Sequence, residues 1–498
     1  MKKTIIIAAI LSIFSFQVTH AQDAVYKQIK HEWTVNADGS SDYRYRHEVQ
    51  ILRPRALTAY ADKGETFVVY NPDIEDLTVN EVYTIQADGR RVEMPQNAFI
   101  YQLPSECADC GRFNNIRELA MVHTGMELGC TIVVDYTIHR RYNLIHESIP
   151  LWRECPVEKL EAIVNYNDED MELKYTIDGF ENLQLPDDCI ARSESIDTDT
   201  KSRTLRYTFK SLKQAPQEPY MPAGYIPVLR LYNGIPEFVP TFNEPAFHGA
   251  EDAMGQTMVK RSDRENLEAA RNFFINNIHL NDIDPKHLGY THSSAAETWQ
   301  SGCGTATDKA NLLAAVLRAE GFRARVIGEQ MDAVGVMVDT LEYRLDVRRR
   351  TPMTLIGEAR DEVSTLNDKH TEEARLDTLE GGFFSISLQA LPGSPAIDAR
   401  HLALQRTTPL QGTACDLQSD ITLTLPKGVK MTAPAANVKK SYEGVGNLEI
   451  SIKQSGRKLK VRRSLTLEKS IVAPEDYASW RDLLATWQSI DNVLLRSK

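Results

Sequence analysis

In the run SGCGTATDKANLLAAVLRAEG, residues 301–321, a thiol stands a few residues ahead of an apolar stretch with helical spacing. Unpaired N–H groups at a helix N-terminus favour negative charge, so a cysteine placed there is drawn toward its thiolate. Such a thiolate is a nucleophile for hydrolysis or acyl transfer once a histidine takes its proton. Cys303 is therefore the first candidate. His287 and His292, in DPKHLGYTHSS, lie just upstream, and His370 lies well downstream, with no histidine between His292 and His370. Without a base or a strong dipole, a thiol of pKa about 8.5 is only a few per cent thiolate at neutral pH.

Two further thiols, Cys107 and Cys110, stand in SECADCGRF. Their spacing suits a small closed loop or half of a metal site. A thiol oxidoreductase needs the motif in a βαβ setting, which the surrounding FIYQLPSECADCGRFNN does not supply. No second CxxC completes a zinc ribbon, and seven cysteines leave one over, for which Cys303 is a candidate. Thiol–disulfide exchange at Cys107 and Cys110 ranks last among the chemical readings. Gly-rich phosphate loops, an HExxH helix and a GxSxG elbow are absent. The acidic run NYNDEDMEL around Asp168 lacks the spaced ligands and glycine of a calcium loop, and DVRRRTP reads as arginines balancing local acids. No metal or cofactor is expected.

The elements that must position Cys303 are legible around it. Ser262 and Glu265 form a capping-box pattern before RENLEAARNFFINNIH, where Leu267, Ala270, Phe274 and Ile278 make one apolar stripe. A second helix begins near Thr307, turns Leu312, Leu313, Val316 and Leu317 inward, and ends at Gly321. RARVIG, AVGVMVD and LEYRLDV then read as three strands, giving an α+β domain over residues 246–350.

On the N-terminal side, residues 23–213 alternate polar and apolar in short runs. Asp-Gly turns in NADGS and QADG join the first hairpins, so this part reads as an all-β sandwich. Seven prolines between Pro216 and Pro245 mark residues 214–245 as an extended surface connector. Residues 375–498 are β-like again, with ITLTLP, NLEISI and KLKVRRSLTL, and close on an amphipathic helix whose Tyr477, Trp480, Leu484 and Trp487 share a face. That aromatic stripe is expected to pack on its own domain.

The chain opens MKKTIIIAAILSIFSFQVTHAQ, two lysines before an apolar run shorter than a bilayer span, with Ala21 at a cleavage site. Residues 1–21 are thus expected to be a secretory signal peptide, and the mature protein periplasmic or secreted, with no membrane span after cleavage. A net charge of −12 gives no electrostatic footprint for nucleic acid or anionic lipid.

The segment Trp299–Val347 resembles the core of the bacterial transglutaminase-like superfamily, through TATDKANLLAAVLRAEGFRARVI. The whole layout resembles exported proteins in which a β domain of unknown function precedes such a core. The resemblance implies a papain-like α+β fold. It also implies a nucleophilic cysteine two residues before the acid of Asp-Lys-Ala and six before the first leucine. Asp308 and Leu312 both count back to Ala306. Cys303 is three residues early, about 4.5 Å of helix rise, whereas a nucleophile must sit within about 3.5 Å of the atom it attacks. The implied histidine begins the next strand, where Asp332 or a neighbour stands; the implied orienting acid is present as Asp346. The expectation is a degenerate domain without catalytic cysteine or histidine, binding an extended peptide or glycan, or an envelope protein, as a scaffold. The alternative is a cysteine-dependent protease, amidase or acyltransferase using Cys303 with a relocated histidine.

Overall fold

The computed structural model describes residues 22–497, apart from residues 63–66, 168–170, 184, 187–188, 198–201, 223, 234–244, 251–262, 330–331, 339–342, 347–353, 356–363, 389–390, 392–393, 433–435 and 491. The leader-like stretch, Ser262, the acidic run at 168–170 and the arginine triplet lie outside these described residues. The protein is multidomain and mostly β, with three hydrophobic cores that follow one another along the chain and a small fourth cluster drawn from two of the parts.

The first core is built on one large sheet. β1 (Ala24–Val35) and β2 (Ser41–Ile51) form the first hairpin, and Gly39 supplies the positive φ that its turn requires. After helix α1 (Pro54–Asp62) come β3 (Phe67–Tyr70), β4 (Glu75–Ile85), β5 (Arg91–Glu93), β6 (Phe99–Gln102), β7 (Arg117–Met121), β8 (Thr131–Arg140) and β9 (His146–Pro150). β10 (Val157–Asn167), β11 (Leu173–Asp178), the single turn α2 (Phe180–Leu183), β12 (Ile190–Asp197), β13 (Ser202–Leu212) and β14 (Val228–Asn233) complete the part. The eight-stranded sheet runs β12-β13-β10-β1-β2-β8-β4-β5, with β1 and β10 parallel. Two three-stranded sheets, β11-β14-β9 and β3-β7-β6, cover its apolar face. Alternation on β1 turns Ile29 and Trp33 inward, where they meet Val49, Val134, Leu160 and Phe209.

The proline-rich stretch is more than a spacer. Its Val228–Asn233 is β14, with Leu229 and Leu231 buried in the first core, because alternate apolar residues there match the inner face of β9 and β11. Upstream, Glu218 accepts hydrogen bonds from Thr407 and Thr408, and Arg406 donates to the Pro219 carbonyl, tying the stretch to the C-terminal part.

The central part follows the expected order: α3 (Asp263–Asn277), β15 (His279–Leu280), α4 (Ala295–Ser301), β16 (Cys303–Gly304), α5 (Ala306–Ala319), β17 (Ala324–Glu329), β18 (Asp332–Val338), β19 (Tyr343–Asp346) and β20 (Thr354–Leu355). α5 is buried all round from Ala306 to Leu317, between α3 and α4 on one side and β17 and β18 on the other. Gly321 ends it in the left-handed region, and the Phe322 N–H returns to the Leu317 carbonyl.

In the C-terminal part, Ser364–Glu373 pairs in parallel with Cys415–Thr424, and Lys458–Leu467, Gly446–Ser455 and Ala436–Tyr442 continue the sheet. Helix α6 (Tyr477–Ser489) packs Tyr477, Trp480, Leu484 and Trp487 into this core, as its stripe implies. One more strand, Asn492–Ser497, follows the helix and pairs with Phe383–Ser387. No helix among the described residues is long and apolar enough to cross a membrane.

Because Leu313 is enclosed on every side, Leu313→Ala should lower the stability of the central part by about 2–5 kcal/mol. Amide hydrogen exchange along α5 in mild denaturant checks this; unchanged exchange would mean that α5 is not a core element.

Candidate functional site

The N-terminal turn of α5 is closed by its own side chains. The Asp308 N–H donates to Thr305 Oγ1 at 3.2 Å, and the Thr305 N–H donates to Asp308 Oδ2 at 2.8 Å, a reciprocal capping box. The second oxygen, Oδ1, accepts the Ser293 N–H at 2.6 Å, so Asp308 also pins the loop that enters α4. Asn311 donates to the Ser293 carbonyl, and Lys309 donates to the Ile278 carbonyl at 2.8 Å. Burial pushes the Lys309 ammonium down to about 8. The approach is tight: a Cβ on Gly304 would lie 2.7 Å from Asp308 Cβ, and Gly302 caps α4 in the left-handed region. Ala306, the first helical residue, is buried and presents only a methyl group.

Cys303 has no thiol in this structure. Its sulfur is bonded to that of Cys110, 193 residues earlier, with the Cα atoms 5.9 Å apart. The bond joins the N-terminal β part to the entrance of α5. Around it, Cys107, Phe113, Ile116 and Ile283 are buried together, with Val69 and Leu288 packed against them. Asn281 fastens the same loop by donating to the Glu106 and Ala108 carbonyls at 2.9 and 3.1 Å. The closed Cys107–Cys110 loop suggested by the spacing is therefore not the pairing found. The stretch Cys107–Ile116 lies against the central part, burying Cys107, Cys110, Phe113 and Ile116, and that contact carries Cys110 to Cys303. Cys107 keeps its thiol, which burial pushes up to about 11.

Of the three histidines proposed as a relocated base, His287 and His370 are held elsewhere, while His292 adjoins Ser293 at the entrance to α4. His287 is buried on the N-terminal part: its Nδ1 lies 3.3 Å from Glu75 Oε2, and its carbonyl accepts from Asn71 Nδ2 at 2.7 Å. Arg140 joins the same cluster, 3.3 Å from Glu75 and 2.7 Å from Glu147. Burial alone would raise the Glu75 carboxyl; the His287 hydrogen bond and the charges of His287 and Arg140 outweigh it and hold it below its usual value. His292 Nδ1 lies 3.0 Å from the Ser293 carbonyl. His370 stands in the C-terminal sheet, 2.9 Å from Asp368, and lines a cleft of about 510 Å³ there with Glu372, Arg375, Ile421 and Val461.

β18 begins at Asp332. Antiparallel pairing of β18 with β19 places Gly335 opposite Asp346. Asp332 pairs with Glu329 at the turn into β18, three residues along, or about 10 Å at the usual strand rise. The residue paired with Asp346 is thus Gly335, which carries neither base nor hydrogen-bonding side chain.

Residues 252–343 match the model of the transglutaminase-like superfamily, and residues 37–215 and 389–495 match two domains of unknown function, DUF3857 and DUF3858. The chain thus carries a transglutaminase-like domain between these two. A comparison with curated proteins finds no match. Among solved structures, a Parabacteroides distasonis protein provisionally described as a protease is similar over 95% of this chain and 99% of its own, with 23% identity and a TM-score of 0.76, and so shares the fold and the same architecture. The CBM3a-L domain of a Clostridium thermocellum cellulosome scaffoldin (8% identity, 24% and 68% of the chains) and an M1 zinc metallopeptidase from Deinococcus radiodurans (9%, 51% and 54%) reach TM-scores of only 0.15 and 0.20, too low to carry an argument.

With its sulfur bonded, Cys303 should resist a brief iodoacetamide pulse in the unreduced folded protein at neutral pH, as peptide mass mapping reads. Labelling that rises with a pKa near or below 7 would restore an activated thiol. A second expectation concerns Glu75. Its folded pKa lies below 4.5, so its pairing stabilises above that pH and is lost as pH falls through the lowered value. Glu75→Gln should therefore melt earlier than wild type near pH 7, and the gap should shrink as pH falls below the usual carboxylate range. A gap constant with pH would contradict this.

Proposed function

We propose that the transglutaminase-like domain of this protein is non-catalytic and serves as a binding or scaffold element of an exported protein. One observation carries the reading: Cys303, the cysteine nearest the N-terminus of α5, is half of an interdomain disulfide. Two others support it. The first helical position is Ala306, and the residue opposite Asp346 is Gly335. An acyl-transfer enzyme of this type needs a thiolate within reach of a base. The Parabacteroides protein is provisionally described as a protease, and on this chain that chemistry would need a thiol freed at Cys303.

Export is supported by the lysine-led apolar opening and by a disulfide, which persists in oxidising compartments. The ligand classes that the family resemblance suggests for this domain are an extended peptide or a glycan of an envelope partner. The N-terminal β domain then acts as its cover, since Cys110, Glu106 and Ala108 all reach across to the central domain.

The test is an assay of peptide hydrolysis and of amine incorporation into a glutamine peptide, on the oxidised and the reduced protein. Neither form should turn over substrate, and Cys303→Ser should behave as wild type. Turnover in the reduced protein that disappears in Cys303→Ser would return the hydrolase or acyltransferase reading.

A further inference from the structure

Three of the seven cysteines converge on one place. Cys107, Cys110 and Cys303 are all buried in the same small cluster, closed by Phe113, Ile116 and Ile283. Two are bonded and the third retains its thiol beside them. Cys107 and Cys110 are separated by two residues, a spacing at which a disulfide ring closes within one loop. The backbone between them already turns sharply: Asp109 has φ 62°. The chain thus holds two possible partners for Cys110, one in its own loop and one in the next domain.

We propose that these three cysteines form a thiol–disulfide exchange relay, in which the bond joining the two domains is traded for one inside the loop. The Cys107 thiolate attacks Cys110 Sγ, the Cys107–Cys110 bond forms, and the Cys110–Cys303 bond breaks. Cys303 leaves as a thiolate and takes up from solvent the proton that Cys107 gave to it. One disulfide is present before and after, so no oxidant or reductant takes part.

Exchange removes the only covalent tie between the loop and the approach to α5 among the described residues. What then holds the loop is the apolar packing and the two hydrogen bonds from Asn281. The bonded state keeps the loop across the N-terminus of α5; the exchanged state lets it lift. Burial gates the step, since a thiol pushed up to about 11 is a poor nucleophile at neutral pH until the loop loosens. The relay does not depend on whether the central domain binds or cuts.

The full-length oxidised protein is incubated without added thiol between about pH 7 and pH 9, quenched in acid, blocked with N-ethylmaleimide and mapped by mass spectrometry. Chains with a Cys107–Cys110 bond and a blocked Cys303 should accumulate, about a hundredfold faster at pH 9 than at pH 7, because thiolate rises tenfold per pH unit below the pKa. Cys107→Ser should give none. A map that keeps Cys110–Cys303 in every chain, with Cys107 blocked throughout, would overturn the relay. The variant Cys303→Ser provides an independent arm: after air oxidation it should contain the Cys107–Cys110 bond. Two blocked thiols there would show that the loop cannot close on itself. Failure of these maps leaves the non-catalytic reading untouched, and turnover by the reduced protein would leave the relay untouched.

Discussion

The carboxylate of Asp308 is the fixed point of the central domain. One oxygen closes the capping box with Thr305, and the other holds the Ser293 N–H at the entrance to α4. Those bonds set α5 against α4, and Gly304, pressed against Asp308, leaves no room for a side chain on the approach. A helix N-terminus offers unpaired donors and a positive field, which is what a catalytic thiolate or an anionic ligand exploits. Here that end carries a methyl group at Ala306, and its own acid closes the turn.

Near this point the N-terminal β domain packs against the central one. Two contacts hold it, of different physical kinds. One is the cluster at Cys110 and Cys303, apolar and covalent, with Asn281 satisfying the carbonyls that the loop turns inward. The other is polar: Glu75 meets His287, and Tyr142 donates to the Lys286 carbonyl. Buried charges persist only when paired, and Arg140 pairs with Glu75 and Glu147 inside the N-terminal domain while His287 reaches Glu75 across the boundary. The N-terminal and central domains are therefore a working unit, and His287 belongs to the joint between them.

Local features were legible in the sequence because local physics makes them. The Asp-Gly hairpins, the two-residue period of the strands, the apolar face of α5 and its Gly321 stop all appear where the spacing puts them. The final strand was not, since Asn492–Ser497 is too short to stand apart from the helix before it. Nor was β14, whose apolar alternation is masked by the prolines around it. At the site, Ala306 is visible by counting from Asp308 and Leu312, because one helix holds all three. The Gly335–Asp346 facing depends on register between strands, which counting along the chain does not supply. The Cys110–Cys303 bond depends on a contact between two domains; the odd cysteine count and the early position of Cys303 were its only signals. The double role of Asp308 was hidden for a similar reason, since the second partner, Ser293, belongs to another element.

Cys303 is a structural link between two domains. The most direct measurement places an engineered protease site within residues 234–244, between the two bonded cysteines, and compares the cut protein, kept at about pH 6 and blocked with N-ethylmaleimide before denaturation, with and without reductant on a denaturing gel. If Cys303 is such a link, the two fragments migrate together until reductant is added, then separate. Fragments that separate without reductant would contradict it, and Cys303 would again be a free thiol at the entrance to the helix.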